Sequence, residues 1–533
     1  MAMRVRNLSS LKTLNPIHGN EIILLERKKK NDELIVNRLP HEVLSRIMLI
    51  GVESDHIIWR WGSRNIQSQQ NASHVCSHWR AVAISAPLLW TFIHITSSVP
   101  SEYVALYLTR AGSTALLEIA IDLLSAIDAH KYNMDQSGVN VDQKYAHTLF
   151  GVFFDILGTL GTQGAQTIRW RSLLVRINQL YAPVLPYLIS GLATSPVPNL
   201  QQLRFDYHGD AHWDGFRQFG VERSEGWNSE GTSLSSSLHC LELVLPYSYE
   251  FGSTWVFTKL KELTIISSYL NPSGLSNLLL SNLQLESLCL GDGNSSRFDR
   301  IPLVNPELRS GRCTEMPSLR SLSIHTYNDA SWALRILTVI RATGLRRLSL
   351  KYAVEDYEDV QNLVTYIQTG FDLTNPMIGS VSGHQSIYPS AQSLDISYFM
   401  CHKVQWVMLV SSFPELTHLV VREQQFILMN ESLWLFPQLE YLGVMDLPVH
   451  AEVLLNYLPR RVDACGLPIK EVKAQGGRLR LRASQPDPLG LAEHHPSVPP
   501  AYEYYYQYDE DTTMGDLQSL ERQSASGSMF HRI

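Results

Sequence analysis

The stretches LKELTI (Leu260–Ile265) and LESLCL (Leu285–Leu290) are two copies of one pattern. An apolar residue is followed by two variable ones, a second apolar residue, one variable, and a third apolar residue. Working outward, the same pattern returns as WRSLLV from Trp170, LQQLRF from Leu200, LHCLEL from Leu238 and LRSLSI from Leu319. It continues as LRRLSL from Leu345, LTHLVV from Leu416 and LEYLGV from Leu439, with a degenerate AQSLDI from Ala391. Several copies follow VPNL-, MPSL-, FPEL- or FPQL-type leads, so chance pairs of leucines are a poor account of the series.

The closest starts, such as Leu238 to Leu260 and Leu319 to Leu345, are about 22 to 26 residues apart, a period at which a unit is too small to fold alone and must stack on its neighbours. The expected fold class is therefore α/β, an irregular leucine-rich-repeat solenoid over 97–484. Each pattern forms a turn and a short parallel strand, leucines inward and variable residues outward. The intervening WALRILTVIRATG and VQNLVTYIQTG have helical spacing and end in Gly344 and Gly370, which predicts a helical convex side. Regular repeats carry Asn or Cys three residues after the last apolar strand position. Here that place holds His208, Pro246, Ser268, Gly293 and Tyr327, and only Asn178 fits. Uneven repeats with inserted loops, for example 206–236 and 371–390, are expected. The variable strand positions Arg204, Glu242, Thr264, Ser323, Ser349 and Asp395 are the candidate substrate-binding residues on the concave face.

Upstream, VNRLPHEVLSRIMLIG (Val36–Gly51) predicts an amphipathic helix with Pro40 at its first position and Glu42 in the first turn, where a negative charge suits the dipole. Leu39, Val43 and Ile47 recur every four residues, with Leu44 and Met48 beside them. A second helix is expected across NASHVCSHWRAVAISA, since Ala72, Val75, Cys76, Trp79 and Ala83 share a face and Pro87 stops the run. The polar ESDHIIWRWGSRNIQSQQ between them reads as a loop with one anchored turn. Residues 1–35 form an N-terminal extension whose Arg27–Lys30 run is a solvated charge cluster or a nuclear address. After a last strand, GRLRLRAS, the proline-, tyrosine- and acid-rich segment 485–533 has no apolar periodicity and is expected to be a disordered tail.

The 533 residues carry a net charge of −7, roughly half of the excess lying in the last thirty residues, so nothing in the charge calls for nucleic acid. No apolar run is long enough for a membrane span. Six scattered cysteines without C-x-x-C spacing fit a reducing compartment, and a cytoplasmic or nuclear location is expected. No P-loop, G-x-G-x-x-G, H-E-x-x-H or kinase signature is present. GSVSG at 379–383 has Val381 where a nucleophile elbow needs serine. HVCSH (His74–His78) matches no zinc spacing and reads as core packing. No enzyme activity, cofactor or metal is expected; the sites should be surfaces.

LPHEVLSRIML followed by VCSHWRAVA resembles the F-box, and ISAPLLWTFIHI is similar to the continuation common in fungal F-box proteins. Leu39, Pro40, Glu42, Val43, Leu44 and Ile47 match the first half of its pattern, and Val75, Cys76, Trp79 and Arg80 the second. The resemblance assigns 36–96 to an F-box-like helical domain. It implies docking to a Skp-type adaptor, and through it to a cullin–RING ubiquitin ligase, while the repeats select an unknown protein substrate. By the resemblance, Leu39, Pro40, Val43, Leu44 and Ile47 form the exposed adaptor-binding surface, and Val75, Cys76 and Trp79 partly hold the module together and partly reach the partner. The long insert at 53–70 departs from the compact family pattern. The competing reading is a repeat-based protein-binding scaffold whose helices only cap the solenoid.

Overall fold

In this computed structural model the described residues are 25–31, 33–60, 68–96, 99–124, 143–178, 188, 192, 195–208, 237–245, 257–266, 272–291, 313–326, 330–352, 357–370, 386–430, 435–448, 452–465, 469–475, 477–483 and 502–508. Two compact units divide them, 1–176 with 195–200, and 177–194 with 201–533. The chain is α/β, with a large, mostly parallel sheet and helices, compatible with a repeat solenoid. Among the described residues no helix is long and apolar enough to cross a membrane.

In the first unit a 3-10 turn, Ile35–Arg38, leads into helix α1, His41–Arg60. Pro40 stands one residue outside it, its carbonyl accepting the first helical bond from Leu44 N at 3.0 Å. The helix runs through half of the segment read as a loop; residues 61–67 of that insert lie outside the described residues. The expected single second helix is two, α2 (Ser68–His74) and α3 (Ser77–Ser85). The break falls at Cys76, which is extended (φ −158°, ψ 176°), and whose thiol caps α3 by accepting from Trp79 N at 3.5 Å. Apolar spacing alone cannot register such a break, because a cap leaves the i, i+3 and i+4 spacing of the sequence around it unchanged.

The first strand, β1 (Phe92–Thr96), already lies within the segment assigned to the helical domain. It pairs in parallel with β2 (Leu117–Asp122), and β2 with β3 (Trp170–Asn178). Helix α4 (Ser101–Ala111) connects β1 to β2 and stops where Gly112 takes φ +78°, a conformation that costs glycine no Cβ clash. Helix α5 (Gln143–Thr162) precedes β3. Arg169 ties the turns together by donating to the carbonyls of Gly112, Gly164 and Ala115 at 2.5, 2.8 and 3.1 Å.

In the second unit the strands are β4 (Gln202–His208), β5 (Cys240–Val244), β6 (Glu262–Ile266), β7 (Ser287–Gly291), the short β8 (Thr314–Glu315), β9 (Ser321–Thr326) and the short β10 (Ile340–Arg341). They continue as β11 (Arg347–Tyr352), β12 (Ser393–Asp395), β13 (His418–Arg422), β14 (Tyr441–Pro448), β15 (Glu471–Gln475), β16 (Gly477–Ala483) and β17 (Tyr502–Tyr508). From β4 to β15 neighbours pair in parallel and in chain order, apart from β8 and β10, which pair with each other. Every quoted copy of the pattern leads into one of these strands or β3. Before most strands an i to i+3 turn closes on the first apolar residue, as Leu200 N on Val197 O (3.1 Å), Leu319 N on Met316 O (3.2 Å) and Leu416 N on Phe413 O (3.2 Å). Leu241, Leu263, Leu288, Leu322, Leu348, Leu394, Leu419 and Leu442 then form one transverse row, each no more than 1% exposed. Each such leucine contributes about 1.5–3 kcal/mol by leaving water, and no strand can do so without its neighbour.

Helices α6 (Pro272–Leu280), α7 (Ala330–Val339), α8 (Tyr357–Thr369), α9 (Lys403–Ser411), α10 (Glu423–Asn430) and α11 (Glu452–Cys465) alternate with the strands. α8 stops at Gly370 (φ +69°) as its glycine predicts. α7 does not reach Gly344: the backbone leaves the helix for β10 at Ile340. The array ends in antiparallel pairs, β15 with β16 and β16 with β17. β17 lies in the segment expected to be disordered, which is corrected for Tyr502–Tyr508. The rest of that tail, residues 1–24 and most of the two inserted loops lie outside the described residues.

Candidate functional site

Helix α1 carries two apolar faces. Leu44, Met48 and Val52 are 0%, 5% and 2% exposed and pack on α2, α3 and the 3-10 turn Pro87–Trp90. Val43, Ile47 and Ile50, spaced by four and three, are 44%, 44% and 49% exposed. At 3.6 residues per turn the two sets lie roughly a third of a turn apart, so the core cannot shelter both. The stripe therefore stands uncovered among the described residues. Pro40 is exposed beside it, and Leu39 is half-buried. Leu44 is a correction: the resemblance puts it on the exposed surface, but it is fully buried. Ile50, together with exposed Leu34, Ile35, Val36, Ile84 and Leu88, was missed. Ile50 was legible as the i+7 partner of Val43.

The second half of the pattern is divided by the Cys76 break. Val75 projects, at 57% exposure, whereas Cys76 and Trp79 are half-buried. Trp79 Nε1 donates to Asn37 Oδ1 at 2.7 Å, and Asn37 Nδ2 donates to Asn31 O at 2.6 Å, so Trp79 ties α3 to the turn before α1. Arg80 Nε donates to Ser73 O at 2.9 Å, satisfying a carbonyl of the last turn of α2. Gln69, buried on α2, donates to Leu89 O at 2.8 Å and Phe92 O at 3.2 Å, which fastens the helices to the start of β1.

In the second unit the six variable residues fall into a single transverse row. Arg204 is registered with Glu242, Glu242 with Thr264, Thr264 with Cys289, Cys289 with Ser323, Ser323 with Ser349, and Ser349 with Asp395. All are half-buried, on the face opposite the leucine row. Arg204 pairs with Glu242 at 3.1 Å and lies 3.9 Å from Asp206, while His208 pairs with Asp206 at 3.1 Å. At the other end Ser349 Oγ donates to Asp395 Oδ2 at 3.4 Å, and Ser397 donates to Asp395 Oδ1 through Oγ (2.8 Å) and N (3.1 Å).

Between these ends the structure adds three residues that were not singled out. Cys289 belongs to the row, while His325 and Lys351 are registered with each other two residues further along β9 and β11. Ser323 Oγ and His325 Nε2 are 2.8 Å apart. Burial pushes the His325 pKa down from 6.5 to about 4, Lys351 pushes the same way, and Asp395 opposes them. Burial raises the Cys289 thiol, against a hydrogen bond from Ser323 and the charge of Lys351. His325 is thus neutral and Cys289 protonated at pH 7, so the two present polar, uncharged groups for hydrogen bonding beside the charge of Lys351. A neighbouring patch stacks His418 on Tyr441 (5.6 Å) and places Arg422 over exposed Tyr398 (5.8 Å). Aromatic and arginine side chains of this kind dominate many protein interfaces.

No family model matches the chain, and no curated relative matches it in sequence. Among solved structures, one protein of Bacteroides fragilis superposes with a TM-score of 0.31 at 14% identity, over 61% of this chain and 82% of that one. At that TM-score the likeness carries no argument about function.

Proposed function

We propose that the chain is the substrate-recognition subunit of a Skp–cullin–F-box ubiquitin ligase, with F-box-like helices docking on the Skp-type adaptor and a leucine-rich-repeat solenoid selecting a protein substrate. The observation that carries this reading is the uncovered stripe Val43, Ile47 and Ile50 on a helix whose other apolar face is already buried. A helix that lays such a set, spaced by three and four, into a partner's groove gains about 1.5–3 kcal/mol per side chain fully buried. The reading needs no catalytic group in the chain itself; the ligase it joins supplies the chemistry.

The scaffold reading is favoured by one specific contact, the buried Gln69 that bonds α2 to the first strand as a cap would. Capping draws on Gln69 and Leu44, however, and leaves the outer stripe without a role. Coprecipitation of the intact chain and of Val43→Asp/Ile47→Asp with a Skp-type adaptor separates the two. Adaptor binding that is lost in the still-folded variant supports the receptor; absence of binding by the intact chain removes it.

A further inference from the structure

The last strand of the sheet reads YEYYYQY, Tyr502–Tyr508, and among the described residues it pairs on one side only, with β16. Its outer edge offers a row of backbone donors and acceptors. Exposed edges are ordinarily blunted by lysine, proline, bulges or brevity. β17 has none of these: seven residues long, it holds no Lys or Pro and a single charge, Glu503, and its tyrosines favour extended structure.

The sequence is also nearly the same in both directions. An antiparallel partner of identical sequence, centred on Tyr505, sets Tyr502 opposite Tyr508, Tyr504 opposite Tyr506 and Tyr505 opposite its own copy. The one charge, Glu503, then meets neutral Gln507, not a second carboxylate. That self-complementarity is what a two-fold interface requires, since residue i must suit residue j in both directions. Pro499 and Pro500 before the strand and Asp509–Asp511 after it bound the segment in sequence, which confines pairing to these seven positions.

We infer that β17 is a dimerisation strand: two copies of the chain pair antiparallel through Tyr502–Tyr508 and join their sheets edge to edge. Once both edges are consumed no further copy can add there, so the assembly is a closed dimer.

The register of β17 on β16 supplies a selective test. Tyr505 is opposite Arg480 and Gln507 opposite Arg478 within the chain. Glutamate at either position therefore gains a cross-strand cation in its own ladder, yet meets a like charge across the two-fold: its own copy at 505, or Glu503 at 507. Light scattering on the full chain at micromolar concentration should give twice the 60.4 kDa chain mass. Tyr505→Glu should run as monomer and Gln507→Glu should shift the equilibrium towards monomer, with hydrogen exchange over Gly477–Ala483 unchanged. A monomeric wild-type chain, or a dimer that survives both substitutions, overturns the proposal.

Discussion

Val43 and Leu44 are adjacent on one helix and of similar chemistry, and they should behave oppositely. Leu44, fully buried, leaves a cavity when cut to alanine, and Leu44→Ala should cost about 2–5 kcal/mol in urea unfolding. Val43→Asp and Ile47→Asp place charge on exposed positions and should change stability by roughly 0.5 kcal/mol or less. His325 offers a second contrast. Its folded pKa of about 4 lies below the unfolded value of 6.5, so between those values the unfolded chain binds the extra proton. Stability should therefore fall as pH drops from 6.5 towards 4, and His325→Asn should flatten that part of a pH series of denaturation midpoints. A wild-type midpoint independent of pH across that window, with the variant alike, would contradict the burial described for the imidazole.

At the scale of elements, the strands were legible and the breaks were not. Apolar residues at i, i+3 and i+5 produce the turn and strand wherever they recur, because that spacing has few other uses in a soluble chain. The extension of α1 to Arg60 was hidden by its polar composition, and the division at Cys76 by side-chain spacing that a continuous helix shares. Asn282 shows how the irregular repeats close without their usual turn residue. Fully buried, it accepts from Leu260 N at 2.9 Å and donates to Phe257 O at 2.7 Å and Leu278 O at 2.8 Å, joining two consecutive units. Asn282→Ala removes all three bonds in a fully buried site and should destabilise the second unit by about 2–4 kcal/mol, read as a lower urea midpoint. The candidate substrate row was legible for a simple reason: strand alternation and in-register parallel pairing carry every variable position to one line. Cys289, His325 and Lys351 escaped notice because their significance lies in a neighbour on another strand.

Across the whole molecule, the two candidate surfaces belong to separate compact units, one bearing the exposed helix stripe and the other the polar row. Such a separation is what the proposed receptor role requires, one surface constant in its partner and the other free to suit a substrate. It also predicts that substitutions are separable: Lys351→Ala and Arg204→Ala should leave adaptor affinity unchanged, as titration of each variant would register. The most direct measurement of the central claim is calorimetric titration of a purified Skp-type adaptor into the full chain, alongside Val43→Asp/Ile47→Asp verified as folded by circular dichroism. The account predicts saturable binding by the wild-type chain and none by the double variant. Equal binding by both, or no binding by either, would contradict it.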